Sequence, residues 1–86
     1  MSTVSDPSTE PILVAVREAV AMVVPEVAPE LVAPGRTLTE LGCNSIDRAE
    51  IVTIAMERLR ITVPIGEFAE VGDIASLVDV LRRHHP

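Results

Sequence analysis

Proline and glycine interrupt this chain in two places, and between the breaks lie three runs whose apolar residues recur at helical spacing. The first run carries Ile12, Val16, Ala19, Val20 and Val23 and stops at Pro25. A residue that precedes proline is pushed out of the helical region, so a helix must end there. Thr9 is placed to cap this helix, and Pro11 falls in its first turn, where a missing N–H leaves nothing unpaired. The many valines favour a strand, but their spacing is that of a helix.

Pro25, Pro29, Pro34 and Gly35 punctuate residues 25–44, a long connection for a small domain. Leu31, Val32, Leu38 and Leu41 are expected to pack it back onto the body, with room for a helical turn around Glu30. The second helix should open at Asn44 or Ser45 and run to about Leu59. Asn44 suits the N-cap, and Asp47 three residues on supports a capping-box start. At about 100° per residue, Ile51, Val52, Ala55 and Leu59 share a core-facing side. Asp47, Glu50 and Glu57 share another, with Ile46 and Thr53 at its margin and Arg48 and Arg58 interrupting the acidic stripe.

Pro64 and Gly66 make the second break, and residues 66–70 can form one short helical turn bearing Phe68. Gly72 and Asp73 then open a last helix, whose Ile74, Leu77, Val78 and Leu81 form an i, i+3, i+4, i+7 stripe. Arg82 and Arg83 sit where cations suit a helix C-terminus. The fold expected is all-α: a small four-helix bundle of three principal helices plus a short third one. Residues 1–8 are expected to be a frayed polar tail, and residues 9–86 the domain.

Composition narrows the function. A chain of 86 residues fits one small domain, and a core with a single aromatic ring, Phe68, must be aliphatic. A deep catalytic pocket is hard to house at this size. Cys43 is the only cysteine, which excludes an intrachain disulfide and suits a reducing compartment. Residues 1–9 hold no basic residue and no long apolar run, so no signal peptide is expected, and no segment is long enough to span a membrane. The reading is a cytoplasmic protein, a monomer by its size and polar exterior. A net charge of −6 disfavours nucleic acid and favours partners with basic surfaces.

The chemistry is concentrated in Leu41-Gly42-Cys43-Asn44-Ser45-Ile46-Asp47. A glycine turn here delivers a serine to the start of a helix, with an acid two residues later. The Ser45 hydroxyl should be exposed, and a phosphodiester on it would sit in the favourable field of a helix N-terminus. Physics allows Ser45 to accept a phosphoryl group without requiring it. The plainer alternative is that Asn44 and Ser45 only cap the helix.

This segment resembles the signature of acyl and peptidyl carrier proteins, in which Leu-Gly, a variable residue, Asp or Asn, Ser, a branched aliphatic and Asp follow one another. The resemblance spans roughly residues 10–83, through the long proline-rich loop, Glu50-Ile51-Val52, Val63-Pro64 and the closing segment 71–81. It implies that Ser45 carries 4'-phosphopantetheine, transferred from coenzyme A by a separate phosphopantetheinyl transferase, and that the arm's thiol holds acyl groups as thioesters. It also implies that partners read the helix beginning at Ser45. Asn44, Ile46, Asp47, Arg48 and Ala49 lie along its start, and Glu50, Thr53, Met56 and Glu57 further along. A solvated helix flank is the competing reading of these positions.

A finer likeness lies in Gly42 through Val52, with Asn44 where most carriers have Asp and with the pair Asp47-Arg48, together with Val63-Pro64-Ile65-Gly66-Glu67-Phe68. These stretches resemble the discrete donor carriers of polyketide β-branching cassettes. The resemblance implies an acetyl group, made by decarboxylating a malonyl group and presented to a hydroxymethylglutaryl (HMG) synthase. An acyltransferase and a decarboxylating ketosynthase-like enzyme would be further partners. Met56 and Arg58, on or near the outer side, depart from the more acidic carriers of fatty-acid synthesis. General polyketide, fatty-acid or peptidyl carriers remain the alternatives, as does an unmodified helical interaction domain.

The other reactive residues have plainer explanations. Cys43 lies near a helix N-terminus that can lower a thiol's pKa, yet a small residue in a tight turn accounts for it. His84 and His85 do not share a helix face and lack partners at metal spacing, so no metal site is expected. Phe68 is read as a local core anchor, although in carriers the short helix lies near sheltered cargo. No Gly-x-Ser-x-Gly elbow exists, and no intrinsic catalysis is expected.

Overall fold

The computed structural model describes residues 9–85, so the expected tail at 1–8 lies outside the described residues. Helices α1 (Glu10–Val23), α2 (Ser45–Leu59) and α3 (Ile74–His84) form the body. Two short 3-10 turns lie between them, at Pro29–Leu31 and Ile65–Phe68. There is no strand among the described residues. The expected short third helix is the second of these turns, and the turn around Glu30 is the first.

α1 buries Ile12, Val16, Ala19 and Val20 in one cluster with Ile51 and Ala55 of α2 and the stripe of α3. The valines are helical here because their shared face is buried, which outweighs their modest preference for strands. Thr9 makes no side-chain capping bond, and its own backbone is already helical. A residue in that conformation cannot turn its hydroxyl back onto the first N–H groups, so the expected cap is absent.

The loop between α1 and α2 is held by identifiable contacts. Val32 and Leu38 are buried and Leu41 packs at the core's edge, whereas Leu31, expected to pack, is exposed on its 3-10 turn. Arg17 of α1 donates from Nε to the Val32 carbonyl at 3.0 Å. The free N–H groups at the start of α3 reach across the bundle: Ile74 donates to the Arg36 carbonyl at 2.8 Å and Ala75 to that of Pro34 at 2.9 Å. The connection thus satisfies donors that a helix N-terminus always leaves unpaired. At the far end of α2, Arg60 takes a left-handed conformation (φ 59°) and Ile61 N–H closes on the Met56 carbonyl, ending the helix without a glycine.

Asp73 caps α3 as expected, in a reciprocal box with Ser76. Ser76 N–H donates to Asp73 Oδ1 at 2.8 Å, and Asp73 N–H donates to Ser76 Oγ at 3.1 Å. The backbone N–H of Ser76, and then its hydroxyl, hold the Asp73 carboxyl below its ordinary pKa. A carboxylate with a depressed folded pKa adds stability above its unfolded value, and that stability disappears as pH falls through the folded one. We expect the gap in melting temperature between wild type and Asp73→Asn to narrow from pH 7 to pH 3. A gap constant across that range would mean that the charge of this cap does not matter.

Candidate functional site

The turn before α2 is tight. Leu41 and Cys43 N–H both donate to the Leu38 carbonyl, at 3.1 and 3.0 Å, and Gly42 N–H donates to that of Thr39 at 3.0 Å. Gly42 has φ +95°, a conformation that a side chain would strain. The chain then enters α2 through a complete capping box. Asp47 N–H donates to Asn44 Oδ1 at 2.8 Å, and Asn44 N–H donates to Asp47 Oδ2 at 3.1 Å. Asn44, not Ser45, is the cap. Ser45 is therefore the first residue of α2, exposed, with its hydroxyl outside the capping box.

The neighbouring residues divide into two sets. Ile46, Ala49, Glu50, Thr53 and Glu57 are exposed, and the first four line a shallow groove that also includes Ser45 and Ile54. Ile46 is 70% exposed despite being apolar. Thr53 turns its hydroxyl back to donate to the Ala49 carbonyl at 2.9 Å. Arg48 and Met56, by contrast, turn inward. Arg48 Nη1 donates to Thr39 Oγ1 at 3.1 Å and to the Cys43 carbonyl at 3.4 Å, tying α2 to the turn that presents Ser45. Met56 is half-buried against the core. Arg58 stays on the outside, where it pairs with Glu18 of α1 at 3.0 Å.

Arg48 and Met56 both border an open-mouthed cavity of about 310 Å³ between α2 and the second 3-10 turn, which Ile65 and Phe68 line from the other side. Phe68 thus serves as a core anchor and as cavity wall at once. His84 Nε2 lies 2.9 Å from Glu67 Oε1, fastening the end of α3 to that turn. Neither the Arg48 tie nor this pair was legible in the sequence, because each joins residues whose proximity depends on loop paths. Among the described residues, no three His, Cys, Asp or Glu side chains converge as metal ligands would.

Cys43 is 3% exposed, and its burial pushes the thiol pKa up. Asp47 adds to that rise and Arg48 opposes it, so the lowering that a helix N-terminus can give does not prevail. Such a thiol stays neutral until pH rises through its elevated folded value, and it should react poorly. Iodoacetamide at pH 8 is expected to label Cys43 at least about tenfold more slowly in the folded chain than in urea. Equal rates would show that the turn opens freely.

The geometry defines a helical bundle that displays one serine at the start of a long helix, beside a groove and a cavity. The comparisons with known proteins place that class. The family model for the phosphopantetheine attachment site matches residues 14–81. The chain is 43% identical over 60 residues to the polyketide biosynthesis acyl-carrier-protein AcpK of Bacillus subtilis (strain 168), covering 65% of this chain and 73% of that one. No solved structure gives a significant match.

The chain belongs to the acyl carrier protein family, whose members are non-catalytic and bear covalent 4'-phosphopantetheine. The residues at the start of α2 fit that group. An exposed primary hydroxyl is available to phosphorus, and the helix dipole favours the resulting anion. When attached, the group supplies a flexible thiol that holds acyl chains as thioesters. No helix of the described residues is long and apolar enough to cross a membrane.

Proposed function

We propose that Ser45 bears the pantetheine arm and that the chain is a carrier of polyketide biosynthesis, working as a monomer in the cytoplasm. The observation that carries the assignment of Ser45 is the division of labour at the start of α2. Asn44 and Asp47 complete the cap between them, so Ser45 can be modified without disturbing the helix. The likeness to AcpK supports the pathway class. Within that class, the likeness of residues 42–52 and 63–68 to discrete donor carriers supports a narrower role. The arm would present a malonyl-derived acetyl group to an HMG synthase homologue, after loading by an acyltransferase and decarboxylation by a ketosynthase-like enzyme. The exposed flank of Ile46, Ala49, Glu50, Thr53 and Glu57 would be what these enzymes, and the phosphopantetheinyl transferase before them, read. Asn44, Asp47, Arg48 and Met56 would act on recognition indirectly, by fixing the shape of that flank.

Two measurements test the proposal. Incubation with a promiscuous phosphopantetheinyl transferase, Mg²⁺ and coenzyme A should add one pantetheinyl mass to the intact chain, and no gain would remove the carrier reading. The acetyl-loaded chain should then be consumed by an HMG synthase homologue faster than an acetyl-loaded fatty-acid carrier. Equal consumption of both would leave a general carrier and remove the donor role.

A further inference from the structure

The cavity behind α2 is apolar on nearly every side, with Leu38, Val52, Met56 and Leu77 in its walls, yet an arginine borders it. Among the described residues, Arg36 pairs with Glu40, Arg58 with Glu18, and Arg82 and Arg83 with Asp79. Arg17 donates to a carbonyl of the loop, and Arg60 is exposed at the end of α2. Arg48 is the arginine that borders this cavity, and no carboxylate of the described residues forms an ion pair with it. Its Nη1 is spent on two neutral acceptors, Thr39 Oγ1 and the Cys43 carbonyl. These bonds fix the side chain without neutralising it, and a guanidinium has further N–H donors to offer. An adjoining cleft also includes Asp73, whose carboxylate is already bound by Ser76.

A fixed, partly buried cation beside apolar walls favours a ligand with a short carbon body and an anionic end. We infer that this cavity takes an acyl chain ending in a carboxylate, with Arg48 as the partner of that carboxylate. The inference rests on the proposal that Ser45 carries the arm. It deepens that proposal by naming a state of the cargo that the carrier shelters. A malonyl group would be held by its carboxylate; once the ketosynthase-like partner releases that carboxylate as CO2 and a proton from solvent takes its place, the acetyl group loses that tie and is freed for transfer. Arg48 is then a specificity residue as well as a brace for the turn.

The test compares malonyl with acetoacetyl, which has the same skeleton with a methyl group in place of one carboxylate oxygen. A promiscuous transferase loads each from its coenzyme A ester onto isotope-labelled wild-type chain, and intact mass verifies loading. Malonyl is expected to shift the Arg48 Nε–H resonance and the Val52 and Leu77 methyl resonances. Acetoacetyl should leave Arg48 Nε–H where the unacylated arm leaves it. In Arg48→Gln the two cargoes should become equivalent at the methyl groups, and Arg48→Lys should keep part of the difference. Equal shifts from both cargoes in the wild type would overturn the inference with no variant needed, as would a malonyl-specific methyl shift surviving in a folded Arg48→Gln chain. A chain that takes no mass at all would instead count against Ser45 as the carrier site.

Discussion

Replacing Ser45 by alanine is expected to abolish pantetheinylation completely while leaving the fold intact. The loss should be total because the reaction needs an oxygen nucleophile at that position. The fold should survive because the capping bonds belong to Asn44 and Asp47. Alanine is also the strongest helix former, so the change in stability should stay within about 0.5 kcal/mol. Intact mass after treatment with transferase, Mg²⁺ and coenzyme A reads the first effect, and a thermal melt followed by circular dichroism reads the second. A Ser45→Ala chain that still gained the pantetheinyl mass would move the site to another hydroxyl. Cys43 is a poor substitute nucleophile, since it is buried with its thiol held neutral.

The largest effect on stability should come from Ile51→Ala. Ile51 is 0% exposed and lies on the inner face of α2, among Ile12, Val16 and Val20 of α1. Removing its branched side chain leaves a cavity in a small aliphatic core, at a cost of about 2–5 kcal/mol. A chain of 86 residues has roughly 4–13 kcal/mol in all, so the loss is a large share. The melting temperature should fall by roughly 10–25 °C. Ile46→Ala is the control: five residues earlier on the same helix, but 70% exposed, it should change stability by less than about 0.5 kcal/mol. A drop of similar size in both variants would mean that the inner and outer faces of α2 are misassigned.

The three helices were legible in the sequence because each carries its own boundary chemistry. Pro25 marks the end of α1, Asn44 and Asp47 the start of α2, and Asp73 the start of α3. Local bonds of this kind form between residues three or four apart, so spacing reports them directly. Spacing misleads where the outcome depends on distant neighbours. Thr9 has a capping side chain but a helical backbone, and Leu31 is apolar but lies on a turn that faces solvent. Cys43 is the small residue in a tight turn that its place before the helix suggests, and the turn's burial keeps its thiol neutral.

Within the site the same division holds. Position on α2 is a matter of helical arithmetic, and Ser45 at its start follows from the Asn44 cap that precedes it. The side to which Arg48 and Met56 turn is not. Both stand at the border between inner and outer faces, where spacing alone cannot decide. The path of residues 36–43 and the placing of the second 3-10 turn settle it, through the Thr39 and Cys43 acceptors for Arg48 and the Phe68 wall opposite Met56. The helices, the cap and the position of the serine follow from local order alone, because those are set by contacts along one stretch of chain. Only the tertiary structure made a cavity behind the serine's helix and put a charge at its edge, because both require loops far apart in sequence to close on the same helix.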